Sequence, residues 1–175
     1  MPINTKAMIA DTLHTMMQQK NIDKITVTEL VEACNISRQT FYYHFQDILE
    51  VVEWSVRQAL QRALDQSLKT DRPEQSVRFF VDMAIESSTQ IERLLHSQYR
   101  EQFEKAFQDG LEAYLREMVR HKAPDLTQNK VDPEIAIRFC ACGIAGVLLR
   151  FSCERNMDAE RMTRQLCEFL KWLTR

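Results

Sequence analysis

Glycine and proline are scarce in this 175-residue chain, with 3 and 4 copies. Sandwiches and barrels spend many such residues on turns, and a phosphate-cradling loop needs clustered glycines, so neither is expected. No apolar run approaches the roughly 18 residues of a membrane span, and no signal-peptide core opens the sequence. A cytoplasmic location without membrane contact is therefore expected. Excess basic charge, the usual footprint of nucleic-acid binders, is missing too: 23 Lys and Arg stand against 25 Asp and Glu, a net charge of −2. The cysteines are Cys34, Cys140, Cys142, Cys153 and Cys167, an odd number that suits reduced thiols. Histidines 14, 44, 96 and 121 have no metal-ligand spacing. No nucleophile–base pair or carboxylate cluster is spaced for catalysis. The expectation is no metal, no cofactor and no enzyme.

Hydrophobic residues make up 45% and charged residues 27%, the composition of a folded globular chain. The whole text reads as helices, with no stretch alternating at period two. Residues 4–20 carry Ile9, Leu13, Met16 and Met17 on one face. Asn21 sits where this helix should stop, a residue type that tolerates a left-handed cap. A long helix is expected from Ile48 to near Lys69, capped by Asp47. Thr70-Asp71-Arg72-Pro73 is the clearest break, and Pro73 suits a first helical turn. The next helix shows Val77, Phe80, Val81, Ala84 and Ile85 and weakens at Ser87-Ser88-Thr89. Another runs from about Ser97 to His121. After a polar loop over 121–131, Asp132-Pro133 opens a helix ending near Asn156, and Asp158 caps the last one.

The segment TVTELVEACNISRQTFYYHF, residues 26–45, holds most of the information. Thr26 and Glu29 form a capping box, Asn35 marks a turn, and Ser37 caps a second short helix from Arg38 to His44. Two short capped helices joined by a tight turn are helix-turn-helix grammar, in which the second helix enters the major groove. Arg38 suits a phosphate or guanine, Gln39 adenine, and Thr40 a phosphate or thymine methyl. Tyr42, Tyr43 and His44 suit phosphate and sugar, and Thr28 at the start of the first helix joins this set. Phe41 and Phe45, four apart, form the buried side of the same helix.

The pattern from Ile9 through Ile25-Thr26-Val27, Leu30, Ala33, Ile36-Ser37, Thr40, Tyr42 and His44-Phe45 resembles the TetR family of transcriptional regulators over residues 9–52. The stretch from Phe139 to Asn156, with Gly143 and Gly146, is similar to the subgroup that includes dihydroxyacetone-kinase operon regulators. Two departures stand out. Asn35 occupies the turn where the family usually has Gly, and Ile48, after Asp47, stands where it usually has a phosphate-holding Lys. Residues 1–47 hold Lys6, Lys20, Lys24 and Arg38 against Asp11, Asp23, Glu29, Glu32 and Asp47, a net −1. Binding must then lean on neutral donors and few cations.

The resemblance implies an all-α protein. A three-helix helix-turn-helix module over 1–47, motif 26–45, continues through a linking helix 48–69 into a ligand-binding and dimerisation domain over 71–175. It implies a homodimer on a palindromic double-stranded operator, answering to a small-molecule effector, with repression the commoner habit. Activation, or an adaptor role through a protein co-regulator, is the alternative. Gly143 and Gly146 let backbones approach, and Val147, Phe151, Leu166, Phe169 and Leu173 supply apolar surface for a four-helix interface. Phe80, Phe103, Phe107 and Tyr114 are candidate walls of the effector cavity. The strip from Cys140 to Gly146 reads as close packing on a buried helix rather than as a thiol site.

Overall fold

The computed structural model describes residues 4–122, 132–152 and 158–173, with side chains as far as residue 170. Among the described residues there are nine α-helices and no strand: α1 (Thr5–Gln19), α2 (Val27–Ala33), α3 (Arg38–His44), α4 (Ile48–Lys69), α5 (Pro73–Glu86), α6 (Ser88–Leu95), α7 (Arg100–Lys122), α8 (Pro133–Phe151) and α9 (Ala159–Leu173). The expected all-α class with an N-terminal helix-turn-helix is what the chain adopts.

Local chemistry accounts for most of the boundaries. Asn4, Thr26, Ser37, Asp47 and Asp132 each accept a backbone N–H in the first turn of the helix they precede. Pro73 and Pro133 occupy first turns, where a missing N–H costs nothing. Asn35, at φ 52°, is left-handed and makes the turn that glycine makes elsewhere.

Several boundaries depart from expectation. Asn21 is extended, at φ −63°, and instead caps a 3-10 turn over Ile22–Lys24 by accepting from the Asp23 amide. The weakness at Ser87 is a complete break, and α6 is a separate helix. The next helix starts at Arg100 because the Ser97 hydroxyl donates to the Leu94 carbonyl and accepts from the Tyr99 amide, holding a turn. Helix α8 stops at Phe151, capped through the Ser152 amide bonding Leu148, short of Asn156, which lies outside the described residues with the 123–131 stretch.

The core is continuous. Ile9, Leu13, Ile22, Leu30, Phe41 and Phe45 close α1–α3 over Val51 and Val52 of α4. Further along, α4 lies against α7, α7 against α8, and α5 against α9. Tyr114 of α7 is buried and donates its hydroxyl to Ser67 of α4 at 2.8 Å. That bond satisfies two polar groups that would otherwise be costly inside.

Gly110 of α7 lies directly against Leu60 of α4. A Cβ there would lie 2.2 Å from Cδ1 of Leu60, itself buried. Gly110→Val should therefore overpack the junction and lower stability by about 1–3 kcal/mol. Urea unfolding should show a lower midpoint with an unchanged slope; an unchanged midpoint would mean that Leu60 has room to turn away.

Candidate nucleic-acid interface

Helix α3 divides cleanly. Phe41 and Phe45 are fully buried, with Phe45 edge-on to Trp54 of α4. These contacts fix the helix axis and its rotation, so the opposite side faces water. Tyr42 is 57% and Tyr43 85% exposed, and Arg38 and Gln39 are exposed beside them. Tyr42 packs edge-on against Phe41 at 5.4 Å while keeping its outer side in water.

The structure brings the expected residues onto one surface with unequal freedom. The Arg38 guanidinium donates to the Thr28 hydroxyl, so the first turns of α2 and α3 meet there. This orients the guanidinium and leaves its other donors outward. The Thr40 hydroxyl pairs with Ser37 at 2.8 Å, so its methyl is the free contact. His44 is half-buried and edge-stacked with Tyr43, centroids 5.0 Å apart, which stiffens the tyrosine.

Electrostatics tighten the module and thin its cations. Lys20, the residue after α1, reaches Glu29 of α2 at 2.7 Å, and Glu29 also accepts from the Thr26 amide to complete the capping box. Lys20, and next the Thr26 amide, hold the Glu29 carboxyl down at about 2, from an ordinary 4.5. Lys6 sits 5.0 Å over the Phe45 ring. Lys20 and Lys6 are thus engaged within the module.

The other expected residues are dispersed. Gly143 and Gly146 are exposed on α8, and a Cβ at either meets nothing within 4 Å among the described residues. The strip from Cys140 to Gly146 is thus covered on one side only, through Ala141 and Ala145, because the neighbouring helices reach only that face. Burial raises the pKa of the Cys140 thiol, which disfavours a reactive thiolate. Val147 is half-buried and Phe151 partly exposed. Of the α9 residues, Phe169 is exposed and Leu166 turns inward to line a cavity, while the Leu173 side chain lies outside the described set. Sequence reading overlooked Ile135 and Phe139, 66% and 60% exposed, two turns and one turn before Gly143. Their spacing of four was the available signal.

The four aromatic candidates for a cavity wall are divided between two cavities. Phe103 and Phe107 line one of about 390 Å³ between α1, α4, α5, α6 and α7. Phe80 and Tyr114 line another of about 340 Å³ between α5, α7, α8 and α9. Phe107 and Tyr114 are two turns apart on α7, which crosses from one set of neighbours to the other. Desolvation raises the Tyr114 pKa, keeping the phenol neutral. Among the described residues no group of His, Cys, Asp and Glu is placed to hold a metal, and no helix is long and apolar enough to cross a membrane.

This is a helix-turn-helix DNA-binding fold fused to a helical bundle. Residues 9–53 match the family described as bacterial regulatory proteins, tetR family, so the helix-turn-helix domain is of the TetR type. No curated protein matches the sequence. Among solved structures, the dihydroxyacetone kinase operon activator DhaS is similar over 98% of this chain and 97% of its own, at 19% identity and a TM-score of 0.74. A Listeria innocua protein is similar over 97% and 90%, at 16% and 0.70. The TetR family repressor AlkX from Dietzia is similar over 97% and 94%, at 15% and 0.61. At these identities the likeness is one of fold, and it extends over both parts of the chain.

The Glu29 interaction has a pH signature. Its folded carboxyl titrates near 2 against an ordinary 4.5, so its stabilisation is complete above about 4.5 and vanishes as pH falls through 2. Glu29→Gln should be less stable than the parent at pH 7, and the gap should close between pH 4.5 and 2. Thermal unfolding of both proteins across that range checks it; a gap that stays constant would assign the loss to packing instead.

Proposed function

We propose that the protein regulates transcription as a homodimer that binds a palindromic operator through α3 and answers to a small-molecule effector. The observation that carries this reading is the split of α3. Phe41 and Phe45 lock it down, while Arg38, Gln39, Tyr42 and Tyr43 project from the other side. Bases are read by Arg38 and Gln39, and the tyrosines hold phosphate and sugar. Thr28, Thr40 and His44 orient these groups or make shorter contacts. With Lys20 and Lys6 engaged in the module, neutral donors carry much of the backbone grip.

One such helix reads only a few base pairs, so dimerisation is needed to select a site, with recognition helices about 34–36 Å apart for adjacent turns. Ile135, Phe139, Gly143 and Gly146 follow one another along α8 as an uncovered face, apolar and then smooth enough for backbone approach. A second copy of that face is its natural complement, with Val147, Phe151 and Phe169 at the margin. Leu166, turned inward, has no part in it.

Operator occupancy alone suffices to block a polymerase, so repression is the proposed direction. Activation through a protein co-regulator is the alternative, and a promoter that weakens rather than strengthens on loss of the protein would establish it. For the effector, the cavity walled by Phe80 and Tyr114 is the proposed seat, its lining being largely apolar.

A gel shift against the DNA upstream of the protein's own gene tests the reading. Arg38→Ala should weaken binding by about 1–3 kcal/mol with a loss of selectivity at one position if the guanidinium reads a base. If it holds a phosphate, the loss should be uniform across sequences with a shallower salt dependence. Unchanged affinity, with helical circular dichroism intact, would remove α3 from the interface.

The dimer has its own test. Gly146→Arg places a charge in a face that must become dry. Light scattering should show a monomer, and operator binding should fall although no DNA contact is altered. A mutant that remains a DNA-competent dimer would move the interface away from α8.

A further inference from the structure

The cavity walled by Phe80 and Tyr114 is a slot along α7. Its lining on that helix runs from Leu111 to Lys122, about 16 Å at 1.5 Å per residue. Between these ends the α7 side is apolar but for Tyr114. That hydroxyl gives its proton to Ser67 at 2.8 Å and has Ser76 as a second partner. Ile144 and Leu148 of α8, with Leu166 and Leu170 of α9, line the slot as well. A polar group on the shaft of an occupant would go unpaired among them.

Charge enters this lining at one end, where α4 stops, α5 starts and α7 stops. Lys122, the last residue of α7, donates its ammonium to the Thr70 carbonyl and lies 3.3 Å from the Asp71 carboxylate. The two partners hold it unequally. The backbone carbonyl fixes the ammonium in place, whereas the Asp71 side chain is fully exposed, and an ion pair so exposed contributes little. An ammonium has three donors, of which these partners take two. Helix α5 begins at the same end, and its cap residue Arg72 makes no side-chain cap bond, so the positive end of the helix dipole lies there without one. Both features favour an anion, and Asp71 opposes them only from full exposure.

We propose that the occupant is a medium-chain alkyl carboxylate, with its carboxylate on Lys122 in place of Asp71 and its unbranched chain laid along α7 towards Leu111. This names the ligand class of the proposed effector seat and rests on that reading. Lys122 selects the head group, and the apolar slot selects the chain. A single ammonium suits a monoanion; a phosphate head would bring two charges against one cation and the nearby Asp71.

Isotope-labelled methionine methyl groups, followed by NMR, both measure binding and locate it. Met118 lines this cavity, whereas Met17 and Met83 line the other. The probes are decanoate, decan-1-ol and decyltrimethylammonium. Decanoate, fully ionised at about pH 8, should shift the Met118 methyl saturably and leave those of Met17 and Met83 in place. It should bind about fivefold tighter than decan-1-ol, the equivalent of one charged hydrogen bond, and the cation should bind most weakly. Affinity should rise roughly fourfold for each methylene from hexanoate to decanoate. Lys122→Met should remove the preference for the carboxylate while decan-1-ol still binds, and Lys122→Arg should keep it. Asp71→Asn, which removes the competing carboxylate, should tighten decanoate about twofold and leave decan-1-ol unchanged. Equal binding of decanoate and decan-1-ol, or a preference that neither Lys122→Met nor Asp71→Asn moves, would overturn the proposal and leave the cavity as the effector seat. If none of the three probes shifts Met118, the proposal and the choice of seat fall together, while the operator reading, tested with DNA alone, stands.

Discussion

One helix belongs to two cores, and the rest of the architecture depends on it. The N-terminal half of α4 gives Val51 and Val52 to the packing that closes α1–α3, and its C-terminal half gives Leu60, Ala63 and Ser67 to the bundle. At 22 residues it is about 33 Å long, enough to join two globular halves without a linker. A rigid shared element makes any shift of the bundle against α4 a shift relative to α3. Gly110 permits the close approach of α7 that holds α4 in place, and Tyr114–Ser67 pins the same junction with a buried hydrogen bond.

The small N-terminal module compensates for its size with caps and one ion pair. Each short helix, α2 and α3, has only seven residues and would not persist alone. The capping box at Thr26, the Ser37 cap, the left-handed Asn35 and the Lys20–Glu29 pair hold them in a fixed relation. The same economy shapes the candidate interface. Lys6 and Lys20 are turned to internal contacts, and the exposed side of α3 is itself more aromatic and neutral than basic. Net charge is a poor guide to such a surface, because what matters is which groups the fold leaves outward.

The two cavities divide the bundle's chemistry. One is apolar and lined in part by Leu166 and Leu170 of α9, the other is a seam between α1 and α6 with the Gln90 amide in its wall. They differ in which neighbours they adjoin: α8 and α9 for the one, α1 of the DNA-binding module for the other.

The helix-turn-helix was legible in the sequence because its determinants are local. Thr26, Glu29, Asn35, Ser37 and the Phe41–Phe45 spacing act within four residues of themselves, and each sits where the sequence placed it. Helix ends governed by the same short-range rules, at Asp47, Pro73 and Pro133, were equally readable. What the sequence could not decide was which face of each long helix meets which neighbour. The inward turn of Leu166, the outward Ile135 and Phe139, the parting of Phe107 from Tyr114 and the meeting of His14 with Gln90, 76 positions away, all follow from how whole helices rotate and cross. Amphipathic spacing marks an apolar stripe, but only tertiary packing determines how much of it is covered, and by what.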